Sequence, residues 1–252
     1  NVENTGVPVI IADGLLSKNY SEVDINGEEF NRASISNDIL HSDYIISIAH
    51  ATGSPATGFG ATIKNLGMGC ASRAGKQLQH ADVEPEIDQS ECVECGVCVM
   101  WCPVDAIEIR EGKGAFIDYE TCYGCAECIT ACDFDAVSNL GDSTTELLQR
   151  KMAEYTMGVL KEKQEKSVFI NFLTHVTEGC DCLGEHQERV IDDIGVLVSN
   201  DPVAADQATI DLINQEAGQD LFQELQEIDY SHQIEHAERI GLGETSYGLI
   251  EL

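Results

Sequence analysis

Eight cysteines form two runs of identical spacing near the middle of the 252-residue chain, and each run reads C-x2-C-x2-C-x3-C. The first run consists of Cys92, Cys95, Cys98 and Cys102, and the second of Cys122, Cys125, Cys128 and Cys132. Thiolates at this close spacing wrap a loop around one face of an iron–sulfur cubane. Structural zinc would instead favour two C-x2-C pairs separated by a longer loop. The spacing therefore predicts two [4Fe-4S] clusters.

The fourth cysteine of each run cannot reach back comfortably to its own cluster, so it binds the other one, as in two-cluster bacterial ferredoxins. We assign cluster one to Cys92, Cys95, Cys98 and Cys132, and cluster two to Cys122, Cys125, Cys128 and Cys102. An internal repeat supports this assignment, because Asp88-x3-Cys92 recurs thirty residues later as Asp118-x3-Cys122. A duplicated half-unit is what a two-cluster module requires.

A second segment of chemical interest, residues 44–81, contains no Asp or Glu and six glycines. Its cations include Lys64, Arg73 and Lys76. Glycines let backbone amides approach a ligand closely, and cations complete an anion site. The segment therefore predicts an anion site at these three residues. The alternative is a buried loop, in which acids would be costly.

Three cysteines lie outside the two runs, namely Cys70, Cys180 and Cys182. Adjacent C-x-C thiols poorly suit a mutual disulfide but suit one metal ion. If Cys70 joins them beside Lys64 and Arg73, the three thiolates predict a third metal or iron–sulfur site with an open position. The alternative is that all three are ordinary buried or free thiols.

The flanking segments must position these groups, and their patterns predict an α/β fold. Short β-branched runs predict strands at residues 7–12, 44–49, 167–173 and 194–198. A capping box at Ser143 and the pair Asp201-Pro202 each predict the start of a helix, the second with Asp201 as its N-cap. Alternation of strands and helices favours a partly parallel sheet. We expect residues 1–81 and 141–252 to form one α/β domain, interrupted by a ferredoxin module at residues 82–140.

Two minor candidates carry alternative interpretations. His232 and His236 are four residues apart and could share a helix face as metal ligands, but a surface helix is the favoured interpretation. Asp206 could face the site or be solvated.

Bulk composition restricts the classes of function. The chain has 14 Lys and Arg against 45 Asp and Glu, a formal net charge of −31. Such a surface disfavours nucleic acid and anionic membranes as partners. The acids either form a solvated surface suited to high salt or steer a basic redox partner. The number of cysteines, eleven, is odd, which argues against a simple disulfide framework. Iron–sulfur clusters imply a reducing, anaerobic cytoplasm.

The segment 58–76, GFGATIKNLGMGCASRAGK, resembles the signature of a family of iron–sulfur proteins of unknown function with an inserted two-cluster ferredoxin module. Cys180-Asp181-Cys182 and the stretch 201–208, DPVAADQA, are similar to further family motifs. The resemblance covers essentially the whole chain. It implies the interrupted architecture described above, and a chain that is short at its N-terminus.

Together these patterns predict an electron-transfer protein that passes electrons to a redox partner protein. The alternative is a redox enzyme whose α/β domain binds a small anionic substrate near the third site. We also expect an exposed sheet edge or apolar face within residues 1–50, covered by another copy of the chain or by a missing N-terminal part.

Overall fold

The computed structural model describes residues 6–80, 85–122, 124, 127–132, 134, 136–139, 145–183 and 186–252. In chain order its strands are β1 (Tyr20–Asp24), β2 (Arg32–Ser36), β3 (Ile45–His50), β4 (Thr52–Ser54), β5 (Gly58–Gly60), β6 (Pro85–Ile87), β7 (Ile107–Arg110), β8 (Gly114–Ile117), β9 (Val137–Asn139), β10 (Ser167–Leu173) and β11 (Gly195–Ser199). Its helices are α1 (Asn37–Leu40), α2 (Thr62–Gly67), α3 (Arg73–His80), α4 (Val97–Trp101), α5 (Glu127–Thr130), α6 (Thr145–Leu160), α7 (Pro202–Ala217), α8 (Leu221–Gln226) and α9 (Ser231–Arg239). The α/β class is confirmed.

The chain divides into two compact units. The larger unit combines Asn1–Gly75 with Thr145–Leu252, and the smaller unit is Lys76–Thr144. No helix among the described residues is both long enough and apolar enough to cross a membrane.

The larger unit is built on a three-stranded mixed sheet in the order β11-β10-β3. β10 runs parallel to β3 and antiparallel to β11, so that Ile170 lies opposite both Ile48 and Val198. Helix α2 packs on β3, and α7 packs on β10 and β11. Alternating residues of β10, such as Phe169 and Leu173, are buried in the main core. The sheet therefore has one face covered by helices.

The other face of this sheet is exposed and apolar. Ile46 and Ile48 on β3 are 68% and 61% exposed, and Val198 on β11 is 63% exposed. Val168 and Phe172 on β10 lie between them and are also partly exposed. Hydrophobic side chains on adjacent strands of one face form a contiguous patch.

Three of the four predicted strands are confirmed: they correspond to β3, β10 and β11. The fourth prediction, a strand at residues 7–12, is wrong. This run has no strand structure, and Val9 and Ile10 are 64% and 70% exposed. A strand is held by hydrogen bonds to a neighbour, and no described strand pairs with this run.

Both helix predictions correspond to observed helices, α6 and α7. Asp201 caps α7 as expected, since its side chain accepts hydrogen bonds from the backbone N–H of Val203 and Ala204 at 2.8 and 2.9 Å. The predicted capping box at Ser143 lies outside the described residues, and α6 begins at Thr145.

The smaller unit contains two antiparallel strand pairs, β6 with β9 and β7 with β8. Helices α4 and α5 follow the first cysteines of the two runs. Its core consists of a few apolar side chains packed with cysteines, including Cys98 and Cys128. A core of this size contributes little stability without additional cross-links or metal.

Candidate functional site

Four of the predicted cluster ligands surround one pocket in the smaller unit. Cys92, Cys95 and Cys98 come from the loop before α4 and from its first turn, and Cys132 comes from the end of the second cysteine run. Cys98 is buried, whereas Cys95 is exposed. The structure thus brings the first three cysteines of one run together with the fourth cysteine of the other.

The electrostatics of this pocket disfavour thiolates unless a cation is present. Burial raises the pKa of the Cys98 thiol, and the neighbouring sulfurs of Cys92, Cys95 and Cys132 raise it further. Several thiolates in one place repel each other, so positive charge among them would be strongly stabilising. Iron supplies such charge.

Backbone N–H groups point at the sulfur atoms. The Ala115 N–H donates to the Cys92 Sγ at 3.4 Å, and the Ala106 N–H donates to the Cys102 Sγ at 3.2 Å. Hydrogen bonds of this kind stabilise negative charge on cluster sulfurs and tune their reduction potential. Gly114, just before Ala115, has φ of +86°, a left-handed conformation that favours glycine over any residue with a side chain.

The sequence repeat is also a structural repeat. The Asp88 N–H donates to the Ala136 carbonyl at 2.7 Å, and the Asp118 N–H donates to the Ala106 carbonyl at 2.8 Å. The two bonds are equivalent, because Asp118 and Ala136 lie thirty positions after Asp88 and Ala106. Each half of the repeat thus donates one backbone hydrogen bond to the other half.

The second predicted ligand set is only partly described. Cys102 and Cys128 pack in the small core, Cys122 is half-buried, and Cys125 lies outside the described residues.

Within the described part of the chain, no three His, Cys, Asp or Glu side chains are placed to hold a single metal ion. A cubane is larger than one ion, so its thiolates stand farther apart than the ligands of one ion do. The four-cysteine pocket fits a cluster by its donor set and not by single-ion geometry.

A second pocket lies in the larger unit, alongside α2 at the ends of β3 and β10. Its lining includes His50, Lys64, Met68, Cys180 and Cys182. Lys64 projects from α2, and the two cysteines come from the loop after β10. We call this the dithiol pocket.

Lys64 is held firmly in the dithiol pocket. Its Nζ donates to the Ser54 Oγ at 2.6 Å. Burial lowers the pKa of Lys64, and the charges of Cys180 and Cys182 oppose that effect. The ammonium group therefore lies close enough to both thiols to interact with them electrostatically.

The two thiols also interact with each other. The backbone N–H of Cys182 donates to the Cys180 Sγ at 3.3 Å. A side-chain hydrogen bond with Cys180 raises the pKa of Cys182, burial raises it further, and Lys64 acts in the opposite direction. The C-x-C turn thus holds both sulfur atoms on the same side of the pocket.

His50 and Asp181 contact each other at the rim of the dithiol pocket. The His50 Nδ1 lies 2.8 Å from the Asp181 Oδ2, and its Nε2 lies 2.8 Å from the Thr174 carbonyl oxygen. These two contacts fix the orientation of the imidazole ring at the rim of the pocket.

Cys70 and Arg73, the remaining predicted members in the larger unit, are not among the described residues that line the dithiol pocket. Lys76 belongs to the smaller unit. Cys70 packs at the margin of the main core, and its carbonyl accepts from the Ser36 N–H at 3.1 Å. Lys64, Cys180 and Cys182 are therefore the predicted residues that the structure brings together.

The surface-helix interpretation of His232 and His236 is wrong for His236, which is 1% exposed. Its Nε2 lies 3.2 Å from the buried Glu154 carboxylate. Arg239 donates to its Nδ1, which leaves the proton of a neutral ring on Nε2, facing Glu154. Sequence reasoning missed Glu154 because an acid inside an amphipathic helix is normally solvated.

Comparison with known proteins identifies the family. The chain belongs to the family described as "Domain of unknown function (DUF362)", whose sequence profile matches residues 2–211. A stretch of 36 residues is also 47% identical to the "Ketoisovalerate oxidoreductase subunit VorD" of Pyrococcus horikoshii. That stretch is 14% of this chain and 34% of the relative, so the similarity spans about a third of the relative's own length.

Proposed function

We propose that this protein transfers electrons through two [4Fe-4S] clusters, held by a ferredoxin module at residues 82–140, to a redox partner protein. The observation that carries the proposal is the pocket lined by Cys92, Cys95, Cys98 and Cys132. Three of these cysteines come from one run and the fourth from the other, the arrangement that distinguishes a two-cluster module. The partial similarity to an oxidoreductase subunit supports a redox-related role.

When bound, each cluster supplies reversible one-electron transfer, and the protein's own residues set the conditions. The cysteine thiolates hold the iron, and the N–H groups of Ala106 and Ala115 stabilise negative charge on sulfur. Residues 82–139 contain fourteen acids against only Arg110 and Lys113. Negative charge around a cluster disfavours adding an electron, so we expect these acids to lower the reduction potentials.

Counting iron and acid-labile sulfide on anaerobically purified protein tests the proposal. We expect about eight irons per chain, four for each cluster, together with the electron paramagnetic resonance signal of reduced [4Fe-4S] centres. Cys95→Ser should lose the iron of at least one cluster and destabilise the module, because its core is small.

Cys70→Ser is the matched control, since Cys70 belongs to neither ligand set. We expect its iron count to equal that of the wild type. Cys95→Ser protein that kept all eight irons in the module would overturn the ligand assignment.

A redox enzyme with an anionic substrate is the second candidate. The observation that favours it is the placement of the Lys64 ammonium in a pocket of the larger unit beside two thiols. Small oxyanions should then accelerate oxidation of reduced methyl viologen by the cluster-loaded protein, and Lys64→Met should abolish that acceleration. If anions do not change the rate of viologen oxidation, the enzyme candidate is excluded and electron transfer to a partner is the remaining function.

A further inference from the structure

The dithiol pocket is lined by three sulfur-bearing side chains, from Met68, Cys180 and Cys182. Met68 directly follows α2, whereas the cysteines follow β10, so two separate parts of the chain supply the sulfur atoms. None of the three belongs to the predicted cluster ligands. A site here would therefore be independent of the proposed electron-transfer module.

Thiolate and thioether sulfurs are soft donors, and they select soft ions such as Cu(I) over hard, oxygen-preferring ions. The C-x-C turn keeps the two thiols together, as the side-chain hydrogen bond between Cys182 and Cys180 shows. The carboxylate on the rim does not compete as a ligand, because Asp181 is paired with His50 at 2.8 Å. Sulfur is thus the donor that the pocket offers.

The donor set distinguishes Cu(I) from zinc, which proteins also bind through thiolates. Zinc takes its ligands from Cys, His, Asp and Glu, whereas a thioether beside two thiols favours Cu(I). Lys64 lies beside both cysteines in the same pocket and offsets part of their charge when they bind a metal as thiolates.

We propose that the dithiol pocket binds one monovalent, thiophilic metal ion of the Cu(I) class. Cys180 and Cys182 are the thiolate ligands, Met68 is the third sulfur donor, and Lys64 compensates the remaining thiolate charge. Cys70 takes no part.

The test uses anaerobic, cluster-loaded protein and Cu(I) supplied from a competing chelator that keeps its free concentration low. We expect one tightly bound Cu(I) per wild-type chain with no loss of iron. Cys180→Ser and Cys182→Ser should each weaken binding at least tenfold, while Cys70→Ser binds as the wild type does. Met68→Leu should weaken binding to a smaller extent, and an unchanged affinity would remove Met68 from the ligand set.

A measurement on the wild-type protein covers the case in which a cysteine variant fails to fold. Cysteines are alkylated with and without Cu(I), and each modified position is read by mass spectrometry. We expect Cu(I) to protect Cys180 and Cys182 and to leave the alkylation of Cys70 unchanged. Equal protection of Cys70, or no protection of the C-x-C pair, would overturn the proposal. Iron counts are made on the same samples, so failure of this site is distinguishable from failure of the cluster assignment.

Discussion

Asp206 is a fully buried carboxylate that holds the start of the helix carrying Lys64. It accepts hydrogen bonds from the backbone N–H groups of Thr62 and Ile63, both at 2.8 Å, and from the Asn171 side chain at 3.0 Å. The first turn of a helix leaves its N–H groups without partners inside the helix, so an acid there satisfies them. Asp206 therefore positions the dithiol pocket without lining it.

Asp206 also makes stability depend on pH. Burial raises its pKa to about 6, against the opposing hydrogen bonds from Ile63 and Thr62. In the unfolded chain an Asp titrates near about 3.9. A carboxyl whose folded pKa is raised contributes stability that is complete below the unfolded pKa and is lost as pH rises through the folded pKa. Between pH 5 and pH 7 we expect a loss of about 1 kcal/mol from this residue.

Asp206→Asn should reduce the free energy of unfolding by about 1–3 kcal/mol, because the amide cannot satisfy all of the donors. The asparagine does not titrate, so the difference in unfolding free energy between wild type and variant should become smaller from pH 5 to pH 7. Urea unfolding at both pH values measures this difference. Asp211→Asn, an exposed position on the same helix, is the control. A difference in unfolding free energy that becomes larger with pH would contradict the assigned direction of the pKa shift.

Single-residue roles were predictable where the partner is near in sequence. Asp201 was recognised as a cap because its acceptor role concerns residues two and three positions ahead. Asp206 bonds to Thr62 across 144 positions, and Glu154 bonds to the N–H of Glu28 across 126. Such pairings depend on tertiary packing, which a single sequence does not reveal.

Among the elements, the strands that pair with one another were the predictable ones. β3, β10 and β11 are short β-branched runs, and each pairs with a neighbour in the sheet. Residues 7–12 have the same composition but remain exposed. Composition thus identifies segments that are able to form strands, and only a partner strand decides whether they do.

The two cysteine loops are held by equivalent aspartates. The Asp88 Oδ1 accepts from the Ser90 N–H at 2.8 Å, and the Asp118 Oδ1 accepts from the Glu120 N–H at 3.1 Å. Hydrogen bonds from Ser90 lower the pKa of Asp88, and a hydrogen bond from Thr121 lowers that of Asp118. Lowered values mean that the stabilisation is present above the unfolded pKa of about 3.9 and is lost as pH falls through the folded pKa.

Asp88→Ala and Asp118→Ala should therefore each accelerate cluster loss several-fold at neutral pH, by similar factors, because the repeat places them equivalently. The decay of visible absorbance after addition of an iron chelator measures the rate. Glu111→Ala removes the same charge from an exposed position of the smaller unit and should leave the rate unchanged. A large effect of one aspartate with none of the other would show that the two halves are not equivalent.

Across the whole molecule, the candidate sites differ in how well sequence predicts them. The pocket of Cys92, Cys95, Cys98 and Cys132 follows from short spacings and a repeat, so its convergence was expected before any fold was known. The dithiol pocket depends instead on which strands are neighbours. The parallel pairing of β3 with β10 brings the loop after β10 to Lys64, whereas Cys70 packs against the main core.

The uncovered sheet face and the net charge of −31 act in opposite directions on assembly. A contiguous apolar face is a recurrent interaction surface, and two copies of one face can pack sheet on sheet about a symmetry axis. The negative charges on the rest of each copy repel each other and oppose the association of two copies. Salt screens such repulsion and strengthens hydrophobic association.

We therefore expect self-association at micromolar concentration that increases with ionic strength, measured by sedimentation velocity in low and high salt. Ile48→Lys places a charge on the apolar face, next to Ile170 of the central strand, and should keep the protein monomeric in both conditions. Leu15→Lys makes the same chemical change at an exposed position outside the sheet and should behave as the wild type. A wild-type protein that stays monomeric even in high salt would exclude a second copy as the occupant of this face.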